Sequence, residues 1–110
     1  MSNLERLRLL REFIKEEPKN PFNYYALALE IREIDPNESI NLFDFLLLNH
    51  PDYLPVYFPS AHFFFELGQI GKAKEIFEKG IFTAKSQGDQ KAQKELQNAF
   101  QNFLYENDMD

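Results

Sequence analysis

His62 and Glu66 stand four residues apart, a spacing that puts both side chains on one face of a helix, where an imidazole and a carboxylate can supply two ligands to a metal. Two ligands do not complete a site, and the other histidine, His50, falls a predicted helix away. A solvated pair is the simpler reading, and no metal is expected. Glu16 and Glu17 are adjacent carboxylates ending a predicted helix before Pro18, where a solvated charge run again suffices. There is no glycine-rich phosphate loop, no HExxH and no local Ser-His-Asp arrangement. Catalysis is therefore not expected, and no cofactor is implied.

Composition narrows the classes further. With 110 residues, 44% of them hydrophobic and 12 of them Phe, the chain can bury enough apolar surface to offset the entropy of ordering, as one domain without disulfides or metals. A net charge of -6 argues against nucleic acid as a partner, because that affinity comes from Lys and Arg neutralising phosphates. The 12 basic residues are spread out among acidic neighbours and form no stripe. Zero cysteines remove thiol chemistry and fit a reducing compartment. The first 15 residues carry Glu5, Arg6, Arg8, Arg11 and Glu12 at helical intervals, unlike a signal peptide. No apolar run approaches the roughly 18 residues of a membrane span, so a cytoplasmic chain without a membrane partner is the default expectation.

The elements that must position any site read as helices. Ser2 and Glu5 have capping-box spacing, and Leu4, Leu7, Leu10, Phe13 and Ile14 make one stripe of a helix running to about Glu17. Asn20 and Pro21 start a second helix, to Ile34, whose many apolar positions predict packing on two sides. Asp35, Pro36 and Glu38 start a third, with Glu38 reaching back to the cap, and it stops before Pro51. Asp52 and Pro55 open a fourth, reaching Leu67 with Gly68 as its cap. Pro59 should weaken or bend its first turn. The fifth, near 71–86, carries Ala73, Ile76, Phe77, Gly80, Ile81 and Ala84 as a continuous stripe. Gly80 costs roughly 1 kcal/mol against Ala there, which a closely approaching helix would explain. Gly88 and Asp89 lead into a last helix lined by Ala92, Leu96, Phe100 and Phe103, with fraying expected beyond Leu104.

The helices repeat. Ala73, Phe77 and Gly80 lie 34 residues after Ser39, Phe43 and Leu46. Ile40, Phe43, Leu46 and Pro51 lie 33 after Leu7, Leu10, Phe13 and Pro18, and Tyr57, Ser60, Ala61 and Phe64 lie 33 after Tyr24, Leu27, Ala28 and Ile31. The pattern resembles the tetratricopeptide repeat (TPR), W-x2-L-G-x2-Y followed by A-x3-F and P in a unit of about 34 residues. Tyr24 and Tyr57 take the tryptophan place, Ala28 and Ala61 the small-residue place, and Phe43 and Phe77 the phenylalanine place. Ser39, Ser60 and Gly80 depart from the pattern, as does the lack of a closing proline near Lys85.

The resemblance implies an all-α fold: a right-handed stack of antiparallel helix pairs, a TPR-like α-solenoid of about six helices in one domain. Its parts would be an N-terminal capping helix at 1–18, repeats at 21–51 and 54–86, and a C-terminal capping helix at 89–105. It also implies a protein-binding scaffold in which the first helix of each pair lines a concave face for a peptide or partner helix. Carried over by position, that face holds Tyr25, Leu29 and Arg32 in the earlier repeat and Phe58, His62 and Phe65 in the later one, bordered by Phe22 and Pro59. Tyr25 and Leu29 replace the Lys and Asn that grip a C-terminal carboxylate in some TPR domains, so no such clamp is expected. The aromatic strip is open to three readings: a groove for an apolar partner, a homodimer interface, or core covered by the terminal helix.

Overall fold

The computed structural model describes residues 2–109, which form six α-helices and one 3-10 turn, with no strand among them. They fall into two compact units, one ending at Tyr53 and the other beginning at Leu54.

In the first unit, α1 (Asn3–Glu16), α2 (Pro21–Ile31) and α3 (Pro36–Asn49) follow their start signals closely. Ser2, Asn20 and Asp35 each accept a backbone N–H of the first turn they precede. These bonds satisfy donors that have no intrahelical partner. Leu10 of α1 packs with Leu27 and Ile31 of α2, and Leu7, Ile14, Ala26 and Leu42 surround them. Phe43 and Leu46 of α3 are wholly buried. Tyr24 lies against the Phe45 ring, with centroids 4.6 Å apart, and donates its hydroxyl to the Pro18 carbonyl at 2.7 Å.

Two expectations change in this unit. α2 stops at Ile31, a turn earlier than Ile34, because the Ile34 and Asp35 N–H groups both turn back to the Ile31 carbonyl. Glu38 does not reach back to its own cap. Its carboxylate takes the Arg11 guanidinium of α1 in a two-pronged pair, Nη1 to Oε2 at 2.6 Å and Nη2 to Oε1 at 3.0 Å. That hydrogen bond holds the Glu38 carboxyl below its usual range.

The pair is open to water, Arg11 being 47% and Glu38 30% exposed, so about 0.5–1 kcal/mol is expected of it. Folding lowers the proton affinity of Glu38, so this support is present above the ordinary carboxylate range and is lost as pH falls through the lowered folded-state value. Glu38→Gln should melt earlier than the parent at neutral pH. The gap should close in acid and narrow in high salt, as read by thermal circular dichroism.

The second unit opens with the 3-10 turn Leu54–Val56, followed by α4 (Tyr57–Glu66), α5 (Ile70–Gln87) and α6 (Gln90–Glu106). The expected weakening at Pro59 takes a specific form: the turn before it is 3-10, and α4 begins at Tyr57, which makes Pro59 its third residue. There the missing N–H would have had no intrahelical acceptor. Gly68 and Gly88, both at positive φ, close α4 and α5 with paired bonds, Gly68 and Gln69 N–H to the Phe65 and Phe64 carbonyls and Gly88 and Asp89 N–H to those of Lys85 and Ala84. α6 continues two residues beyond Leu104. It runs to Glu106 and closes with the same bond pair, Asp108 at φ 54 taking the place that glycine holds in α4 and α5. Tyr57, Ala61, Phe64, Ala73 and Phe77 form the buried seam, and the Phe77 ring lies 5.6 Å from Phe100 and 5.3 Å from Phe103.

Candidate functional site

α4 divides its residues by face. Tyr57, Ser60, Ala61 and Phe64 are buried, which leaves Phe58 and His62, one turn apart, on the opposite side in water. Phe58 is 49% exposed. Its ring lies parallel to the His62 imidazole, 10° between planes with centroids 6.4 Å apart. His62 Nε2 meets Glu66 Oε1 at 2.6 Å, so the metal-ligand spacing is used for a hydrogen-bonded pair along one helix. Among the described residues no three His, Cys, Asp or Glu side chains gather to hold a metal.

Behind this ladder lies a cleft of about 180 Å³. α4 contributes Phe58, His62 and Phe65 to its walls, and Phe77 of α5 contributes one more ring. α6 supplies the rest with Ala99, Asn102, Phe103 and Glu106. Phe65 is half-buried, edge-on to Phe103 at 5.5 Å, which makes it a wall residue rather than a free one. Three of the six residues singled out from the sequence thus share one cavity. The α6 wall was not singled out, although 99, 102, 103 and 106 have the spacing of one helical face.

The other three belong to the first unit. Tyr25 and Leu29 are half-buried on α2, and Arg32 is exposed just past its end. Tyr25 stands edge-on to Tyr53 at 5.7 Å. Burial pushes the Tyr25 hydroxyl pKa up, opposed by the charge of Arg32, so the phenol stays neutral and available as a donor. Phe22 is exposed and Pro59 half-buried.

No protein-family model matches the sequence, and no curated protein matches it. Solved structures do. A solution NMR structure of a tetratricopeptide repeat domain protein from Salinibacter ruber is 32% identical, with a TM-score of 0.73 over 79% of this chain and 89% of that one. The chain belongs to the tetratricopeptide repeat family. A crystal structure of a tetratricopeptide repeat domain protein from the same organism is 31% identical, with a TM-score of 0.70 over 77% of this chain and 96% of that one.

The TPR fold is in general a non-catalytic scaffold for protein–protein interaction. No helix among the described residues is long and apolar enough to cross a membrane. Three of the departures from the TPR pattern, Ser39, Ser60 and Gly80, have a physical account. Ser39 is wholly buried and donates to the Ala28 carbonyl at 2.8 Å, tying α3 to α2. Ser60 bonds back to the Val56 carbonyl at 2.6 Å, within its own helix start. Gly80 leaves room for Tyr57, whose Cβ lies 2.7 Å from where a Cβ on residue 80 would sit. Among the described residues no buried side-chain nitrogen or oxygen lacks a partner.

Proposed function

We propose that this TPR chain holds a peptide or a partner helix on the solvent-facing sides of its first-type helices, α2 and α4. The roles expected are apolar contact from Tyr25, Leu29, Phe58 and Phe65, and polar contact from Arg32 and His62. Repeats at 21–51 and 54–86, flanked by helical caps at 1–18 and 89–105, make up the module in this reading. The observation that carries it is the half-exposed Phe58 at the mouth of an aromatic cleft. Apolar surface held open beside a formed cavity is characteristic of interaction sites.

Replacing Phe58 and Phe65 together by Ala should abolish partner capture while leaving the helical circular dichroism intact. Capture that survives the double substitution would remove the cleft from this account. A second reading, a homodimer through the same face, draws support from the cleft itself. A two-fold axis brings the same patch of two copies together, which would set the exposed ring of one beside the cavity of the other. Light scattering over a concentration series separates the two, since a monomer throughout counts against the dimer.

A further inference from the structure

Resting on the reading just given, we propose that the α4–α6 cleft takes one aromatic or branched apolar side chain of a partner peptide that carries Lys or Arg beside it. The size comes first. At about 180 Å³ the cleft falls short of the roughly 300–1,000 Å³ of small-molecule sites, but a cavity of about 150 Å³ accommodates a benzene ring. One anchoring side chain fits. Phe58, Phe65, Phe77 and Phe103 supply ring edges and faces to it, the surroundings that favour an aromatic guest in offset or edge-on contact.

Glu106 is the one acidic residue among the eight that line the cleft, and none of the eight is Lys or Arg. Seven of the eight lining residues come from α4 and from α6 after Lys94, with Phe77 the exception. From residue 54 to 70, and from 95 to the end, the chain contains no Lys or Arg. The same stretches carry Glu66, Glu95, Glu106 and Asp108. His62 is already paired with Glu66. The last turn of α6, where Asn102, Phe103 and Glu106 line the cleft, is also the negative end of its helix dipole. The lysines of this unit lie on α5 and at the start of α6. Lys72 sits over the Phe64 ring at 4.0 Å, and Lys74 pairs with Glu78 at 3.4 Å. A cation beside the anchor therefore meets Glu106 and a favourable potential, while a carboxylate there meets repulsion.

Three labelled peptides test this: a single Phe flanked by Lys, and the same sequence with Ser or with Glu in place of Lys, titrated by fluorescence anisotropy. The Lys peptide should bind about tenfold more tightly than the Glu peptide at low salt, the gap shrinking as salt is added. Glu106→Lys should remove most of that preference, and Phe58→Ala should weaken all three peptides alike. Equal binding of the three, weakened by Phe58→Ala, would overturn the charge assignment and leave the groove standing. Binding of none, together with concentration-dependent dimerisation, would give the cleft to a second copy and overturn the proposal. Binding of none by a chain that stays monomeric would overturn both the proposal and the groove.

Discussion

Phe43→Ala is expected to lower the unfolding free energy by about 3–5 kcal/mol, the cost of lost transfer energy plus an unfilled cavity. Phe43 is 0% exposed on α3, on the same face as the buried Ser39 and Leu46. A domain of this size has about 5–15 kcal/mol in hand, so the substitution removes a large share of it. The measurement is a urea titration followed by helical circular dichroism. Leu48→Ala on the same helix is the control, because Leu48 is 79% exposed and its truncation should change stability by no more than about 0.5 kcal/mol. If the two variants unfolded at the same urea concentration, the face assignment of α3 would be wrong.

The second large effect is a reversal of sign. In an open helix, Gly→Ala stabilises by about 0.5–1 kcal/mol. At Gly80 the new Cβ would lie 2.7 Å from Tyr57 Cβ and 3.0 Å from its Cγ, well inside ordinary contact. Leu96 Cδ1, at 3.3 Å, is a side-chain tip and can rotate away, but Tyr57 Cβ is fixed to the α4 backbone. The two helices must separate, and overpacking of this kind costs about 1–3 kcal/mol, more than the helix preference returns. Gly80→Ala should therefore destabilise. Gly71→Ala, on the same helix with nothing within 4 Å, should be neutral or stabilising. Thermal melts of the two variants with the parent decide it, and a stabilised Gly80→Ala would mean that α4 and α5 are not in such close contact.

Much of the fold was legible because its signals are local. Asn20–Pro21 and Asp35–Pro36 start helices through their own side chains and fixed φ, and both starts lie where those residues put them. Gly80 was legible as a close approach because a mid-helix glycine needs a reason. The misses depend on partners distant in sequence or on atypical residues. Glu38 has the spacing of a capping residue, yet Arg11, 27 positions earlier, outcompetes the local N–H with a charged two-pronged partner. The bond pair that closes α6 was not legible, because Asp108 adopts a left-handed conformation that sequence reasoning assigns to glycine. The cleft was legible by half: repeat register singled out Phe58, His62 and Phe65, while the α6 wall lies outside the repeat pattern. Its polar members, Asn102 and Glu106, look like ordinary solvent-facing positions of a terminal helix.

Within each unit the most extensive packing joins helices consecutive in the chain, α1 with α2 and α2 with α3, then α4 with α5 and α5 with α6. Few residues separate one partner from the next, Ile31 from Pro36 and Glu66 from Ile70 among them. Such connections close at small entropic cost, and chains dominated by near-neighbour contacts reach their native state on the microsecond-to-millisecond scale rather than in seconds. Each hairpin can therefore assemble from a short stretch of emerging polypeptide, and its aromatic faces spend little time in the open before a neighbour covers them.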